Sequence, residues 1–156
     1  MNIRQATSAD LGGLVALDAA CFDQPERWGA PAWAPELEGT GLVLVAEDTD
    51  QADCCAFAAI VSAAVFHLAG TTAELYRVMT APGHRGLGLA TLLLARGLAW
   101  ARQMGATEMM LEVRLDNRAR SLYADAGFVP AYERTNYYGP GLHALVMRRD
   151  LSKEAS

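Results

Sequence analysis

The sequence predicts an α/β fold: a mixed, twisted sheet of six to seven strands with helices on both faces. Three observations lead there. Short apolar runs with strand character recur along the chain, separated by longer segments whose apolar residues repeat with helical spacing. The two kinds do not strictly alternate, which points to a mixed rather than a parallel sheet. The C-terminal part reads as two strands joined at Tyr137-Tyr138-Gly139-Pro140-Gly141, an antiparallel hairpin.

Taken in order, Ile3 to Ala6 reads as a strand, and Thr7-x-x-Asp10 as a capping box opening a helix with apolar Leu11, Leu14, Val15 and Leu17 that ends near Phe22. Residues 23–31 are rich in turn formers and read as a loop carrying an exposed Trp28. Leu42 to Ala46 is a second strand and Glu47 to Asp50 an acidic turn; Cys54 to Phe66 is a long strand, with Glu74 to Thr80 its partner across Gly70-Thr71-Thr72. Pro82-Gly83 ends that strand. Gly88 to Met104 is helical, with an apolar face of Leu89, Leu92, Leu93, Ala95, Leu98, Ala99 and Trp100 and Gly105 as its C-terminal cap. Met109 to Val113 is a buried strand, Ala119 to Ala126 a helix, and Phe128 to Asn136 and Leu142 to Arg149 the hairpin arms.

The 156 residues suit one domain, expected over residues 1–150 with a short tail at 151–156, and a chain of that length buries a sufficient core without disulfides or metals. Its longest apolar stretch, Cys54 to Phe66, falls short of the about 20 residues a membrane helix needs. The N-terminus lacks the basic and apolar regions of a secretory signal. Three cysteines, Cys21, Cys54 and Cys55, form no disulfide framework, so a reducing cytoplasm is expected; Cys21 lies among apolar helix residues and reads as a core residue. The net charge of −5, with no Lys/Arg block, disfavours a nucleic-acid partner and suits a cationic substrate. His67 and His84 share no metal-ligand spacing, and no metal is expected.

The strongest chemical signal is a strand followed by Pro82-Gly83-His84-Arg85-Gly86-Leu87-Gly88-Leu89-Ala90 and then a helix. Glycines let backbone N–H groups approach a ligand, and a helix N-terminus adds positive potential, so the layout suits a phosphate or pyrophosphate. A dinucleotide fingerprint starting at Gly86 would need Gly where Thr91 stands, and the Gly-Lys-Ser/Thr of a phosphate loop is absent. A tight strand-to-helix turn without a ligand is the alternative.

Arg85-x-x-Gly88-x-Ala90 after the strand Leu75 to Pro82, followed by Leu111-Glu112-Val113-Arg114, Leu122-Tyr123, Gly127-Phe128 and Asn136-Tyr137-Tyr138, resembles the GNAT acyltransferase superfamily. The resemblance covers Leu75 to Met147 and the N-terminal third only by layout, and within the superfamily the chain is most similar to the bacterial ribosomal-protein-alanine N-acetyltransferase type. The resemblance implies the GNAT fold, with the strand ending at Thr80 and the one starting near Met109 splaying apart, and acetyl-CoA as co-substrate. Val78, Met79 and Thr80 would meet the pantetheine arm, and Arg85, Gly86, Leu87, Gly88, Leu89, Ala90 and Thr91 the pyrophosphate. Glu112 would match the general base and Tyr123 the general acid that protonates the thiolate. Asn117 and Tyr123 would contact the cofactor; Trp28, Glu74, Tyr137 and Tyr138 would frame the acceptor.

The chemistry suits these residue types. An amine must lose a proton before attacking a thioester, and a thiolate must gain one, tasks for a carboxylate and a phenol. Otherwise Glu112 is a strand-end charge paired with Arg114 or Arg118, and Tyr123 a core filler. The family's Asn lies seven residues before the Tyr; here that position is Asp116, and Asn117 follows it. His143 stands where the ribosomal-protein type often has an acidic residue. The expectation is acetyl transfer to a primary amine, most readily a protein N-terminus, by a monomer or homodimer. A small-molecule amine acceptor and a non-catalytic acyl-CoA-binding module are the alternatives.

Overall fold

A computed structural model describes residues 1–24, 26–49 and 59–152. Seven strands form one sheet in the order β1-β2-β3-β4-β5-β7-β6: β1 (Asn2–Gln5), β2 (Leu42–Asp48), β3 (Ala59–Ala69), β4 (Thr72–Thr80), β5 (Glu108–Arg114), β6 (Val129–Gly139) and β7 (Leu142–Asp150). β4 and β5 pair in parallel, and the other described pairings are antiparallel, so the sheet is mixed. The helices are α1 (Leu11–Cys21), α2 (Ala30–Glu38), α3 (Leu89–Gln103) and α4 (Ala119–Asp125). Among the described residues no helix is long and apolar enough to cross a membrane. The chain divides into two compact units, Met1–Phe66 with Arg77–Gly97, and His67–Tyr76 with Leu98–Ser156.

In the first unit, the Thr7 N–H donates to Asp10 Oδ2 at 2.7 Å, and Arg4 holds both Asp10 oxygens at 2.8 Å. A 3-10 turn at Ser8–Asp10 leads into α1. Leu14 and Leu17 of α1 pack with Trp33, Val43, Val45, Ala63, Val65 and Met79. Cys21 packs against this core and its thiol donates to the Thr80 carbonyl at 3.3 Å; burial pushes that thiol up, as suits a core residue.

Three expectations are corrected here. α2 begins inside the segment read as a loop: Pro31 sits at the helix start, where its missing N–H costs nothing, and buried Trp33 anchors the helix despite the interior Pro35. Glu47 and Asp48 belong to β2, because Asn2 and Ala59 pair with them across the sheet and Arg4 ion-pairs Glu47. The buried stripe of α3 is Leu89, Leu93, Leu94, Gly97, Leu98 and Ala101, whereas Leu92, Ala95 and Ala99 are exposed. A Cβ on Gly97 would lie 2.0 Å from the Phe66 ring, so the stripe is completed by a residue without a side chain. Cys54, Cys55 and the first part of their expected strand, Asp50 of the acidic turn, Pro25, and the tail beyond residue 152 lie outside the described residues.

In the second unit, β5 buries Met109, Leu111 and Val113, while Glu108, Met110 and Glu112 alternate on its other face. β7 pairs with β5 from Glu108↔Asp150 to Arg114↔Ala144, and with β6 on its far side. β6 runs to Gly139, so Tyr137 and Tyr138 are strand residues and the turn shrinks to Pro140-Gly141. The reason lies at Asn136, whose φ is 56°. Its N–H donates to His143 Nδ1 at 3.0 Å and its side-chain oxygen accepts the Gly141 N–H at 2.8 Å, closing an irregularity inside the hairpin.

Candidate active site

The glycine loop lies in the first unit. After Thr80 the chain makes a 3-10 turn at Pro82–His84 and passes through Arg85–Gly88 into α3. Gly86 and Gly88 have φ of 81° and 78°, a region that side chains disfavour, and a Cβ on either would meet nothing within 4 Å. The first N–H groups of the 15-residue α3 have no acceptor within the helix and mark its positive end. Two glycines with open space above a helix N-terminus fit a diphosphate group.

Of the residues assigned to the pantetheine arm, Met79 buries its side chain in the core and its carbonyl already accepts the Ser62 hydroxyl at 2.9 Å. Val78 and Thr80 are half-buried. Arg85 folds back, its Nε donating to the Thr80 carbonyl at 3.1 Å. Trp28 is half-buried rather than exposed, edge-on to Trp33 at 5.0 Å.

The second unit holds the carboxylates. The parallel β4–β5 ladder runs from Thr72↔Glu108 to Leu75↔Leu111 and stops. A cavity of about 410 Å³ opens there, lined by Glu74 and Tyr76 of β4, Glu112 of β5, Val146 of β7, and Tyr132, Arg134, Tyr137 and Tyr138 of β6. Four residues expected at the site, Glu74, Glu112, Tyr137 and Tyr138, are thus brought together. Arg134 Nε is 3.4 Å from Glu112 Oε1, and the hydrogen bond between Tyr137 and Glu112 pushes the Tyr137 phenol up. Arg114 pairs with Asp116 at 3.0 Å instead of with Glu112.

Tyr123, on α4, is not among the lining residues; it is 7% exposed and edge-on to Phe128 at 6.3 Å. Burial, with Tyr138 adding to it, pushes its phenol up to about 12. Asn117 caps the start of α4, its side-chain oxygen accepting the Ala119 N–H at 2.9 Å. His84 sits 3.0 Å from Asp48, and His67 stacks on Tyr76 at 3.7 Å. Among the described residues no group of three or more His, Cys, Asp or Glu is placed to hold a metal.

Sequence reasoning missed Tyr76, Tyr132 and Arg134. Tyr76 follows Glu74 by two residues and Arg134 follows Tyr132 by two, the spacing that puts both members of each pair on one strand face.

The sequence profile of the acetyltransferase (GNAT) family matches residues 14–128. The chain is 36% identical over 66 residues to a [ribosomal protein bS18]-alanine N-acetyltransferase of Haemophilus influenzae, a match covering 42% of this chain and 45% of that protein. It is 28% identical over 140 residues to a mycothiol acetyltransferase of Beutenbergia cavernae, covering 88% of this chain and 42% of that protein. The matches thus span less than half the length of either relative. The ribosomal-protein-S18-alanine N-acetyltransferase of Escherichia coli shares the fold with a TM-score of 0.82 at 21% identity, covering 97% of this chain and 94% of that one.

Proposed function

The chain belongs to the acetyltransferase (GNAT) family, and from that membership we propose that it transfers the acetyl group of acetyl-CoA to a primary amine, the α-amine of a protein N-terminus. The observation that carries this is the position of Glu112, a carboxylate in a tyrosine-rimmed cavity where the β4–β5 ladder ends.

Bound acetyl-CoA supplies an acyl group activated as a thioester. The loop from Arg85 to Thr91 offers backbone N–H groups to its diphosphate. Glu112, with Glu74 on the neighbouring strand, draws in the acceptor ammonium and takes its proton, directly or through water. Tyr123 retains its proton throughout the physiological range, so it has one to give to a departing thiolate. Asn117 holds the start of α4, the helix that carries Tyr123.

A peptide suits the rim because Tyr132 and Tyr137 are about half exposed, 49% and 48%, leaving the cavity open on that side. A small amine is the second reading, favoured by the similarity to mycothiol acetyltransferase along 88% of this chain. Release of free thiol from acetyl-CoA against a panel of N-terminal peptides and small amines tests both. Peptides should be the better acceptors; release with small amines alone overturns the acceptor, and no release with any amine overturns the transfer.

A further inference from the structure

Of residues 82–88, which join the end of β4 to the start of α3, only His84 is not exposed. The two ends of this stretch are fixed by the core. The Ala81 N–H donates to the Val61 carbonyl at 2.8 Å, and Leu89 packs with Ala46 of β2 and Val61 of β3. Between those ends the backbone passes through positive φ at Gly86 and Gly88, Leu87 is 62% exposed, and a Cβ on Gly83, Gly86 or Gly88 would meet nothing within 4 Å. Packing therefore does little to fix the path of the loop, which leaves polar contacts.

Two side chains supply them. Arg85 stays local, its Nε donating to the Thr80 carbonyl at 3.1 Å. His84 reaches another strand: its Nε2 lies 3.0 Å from Asp48 Oδ2 of β2, with the two side chains 19% and 15% exposed. An ionised carboxylate only accepts, so the nitrogen facing it carries the hydrogen. The other ring nitrogen, Nδ1, is buried and has no hydrogen-bond partner among the described residues. An apolar side chain of the same volume would fill the place without stranding a polar atom. What it would lack is direction, because only the hydrogen bond to Asp48 fixes the ring, and with it the backbone that leads into Arg85.

We infer that His84, held by Asp48, is a positioning residue of the cofactor loop: it sets the strand-to-helix turn so that the N–H groups from Arg85 onward are in place before the diphosphate of acetyl-CoA arrives. Donors ordered before binding hold a ligand more tightly than donors ordered by it. The inference rests on the reading of this loop as the diphosphate site. Asp48 puts a negative charge beside that anion site, so its charge opposes the ligand and its contribution is that of a hydrogen-bond acceptor.

Acetyl-CoA is titrated calorimetrically into the wild type, His84→Leu, His84→Gln, Asp48→Ala, Asp48→Asn and the double variant His84→Leu with Asp48→Ala, and the melting temperature of each ligand-free protein is taken alongside. His84→Leu and Asp48→Ala should each bind about tenfold more weakly than the wild type, the scale of one hydrogen bond to a charged group. The double variant should bind no more weakly than either single one, because both remove the same contact. His84→Gln keeps an N–H donor at the end of its side chain and should restore most of the affinity. Asp48→Asn keeps an acceptor and removes the opposing charge, so it should bind at least as tightly as the wild type. The titration reads the affinity of the folded fraction, and its stoichiometry the size of that fraction, so loss of fold cannot imitate loss of affinity. Unchanged affinity in His84→Leu and Asp48→Ala, whatever their melting temperatures, overturns the positioning and leaves the loop reading standing. Additive losses in the double variant, or Asp48→Asn and His84→Gln as weak as Asp48→Ala and His84→Leu, overturn it too. A wild type that does not bind acetyl-CoA overturns both.

Discussion

The carboxylate of Asp18, which has no solvent exposure, lies 3.2 Å from the guanidinium of Arg77 and ties helix α1 to strand β4. The same carboxylate accepts the Trp28 backbone N–H at 2.9 Å and the Trp33 indole N–H at 3.3 Å, while Arg77 sits over the rings of Phe22 and Trp28 at 4.0 and 4.4 Å. Burial pulls Arg77 below the ordinary guanidinium value, so the pair answers a desolvation cost rather than adding free stability. Asp18→Ala leaves the guanidinium with the Glu26 carbonyl, 2.6 Å from its Nη2, but without its buried carboxylate, and strands two N–H donors, so it should cost about 3–5 kcal/mol in denaturant unfolding. Arg77→Met in the same background should recover part of that, since it removes the uncompensated charge. A cost under about 1 kcal/mol for Asp18→Ala would show that water reaches the site.

Elements with unbroken periodicity were legible in the sequence, and the misses have separate physical causes. β5 carries its pattern in its own residues, and α3 its extent, but the buried face of α3 includes Gly97, which only the Phe66 ring places inside. α2 hides because Pro31 falls in a segment that reads as a loop, while the anchor, Trp33, is buried by residues distant in sequence. The end of β2 hides because acidic residues read as a turn until partners on both sides pair with them. At the site, Glu112 and Gly88 stand in local strings that carry their chemistry. Arg134 does not: its facing depends on the β6–β7 register, which shifts between Pro130 and Tyr132, and no local string announces such a shift.

Gly97→Ala separates intrinsic propensity from packing. In an exposed helix interior the change should stabilise by about 1 kcal/mol. Here the new Cβ would fall 2.0 Å from Phe66, so thermal unfolding should show a loss of about 1–3 kcal/mol instead. Adding Phe66→Leu should make the alanine less costly. A stabilised Gly97→Ala would mean that the Phe66 ring moves aside freely.

Acetyl-CoA should raise the melting temperature by mass action, by about 2.7 kcal/mol of stability at a hundredfold excess over its dissociation constant. NAD and ATP should do less. Gly88→Val should abolish the effect, because Gly88 has φ 78° and its Cβ direction is open space at the helix start, where the diphosphate is proposed to lie. Cys21→Ala should leave it in place. Equal shifts from all three nucleotides would remove the argument for the loop.

Tyr123→Phe tests the proposed acid through two readouts that a catalytic and a structural role move differently. The phenol titrates near 10 when unfolded and is pushed up to about 12 by burial in the fold. Below pH 10 both states hold the proton and the wild type has the full contribution. As pH rises from 10 to 12 the unfolded state loses its proton first, so stability should fall, by roughly 3 kcal/mol. The Phe variant has no proton to lose, and its alkaline stability curve should be shallower by that amount whatever Tyr123 does in catalysis. Turnover then decides the role. If Tyr123 protonates the leaving thiolate, the variant should lose roughly 10²–10⁴ in kcat while acetyl-CoA still shifts the melting temperature. If Tyr123 only fills the core against Phe128, the ring survives the substitution and kcat should stay near the wild-type value. A flattened alkaline limb with wild-type turnover would therefore keep the burial and sink the acid.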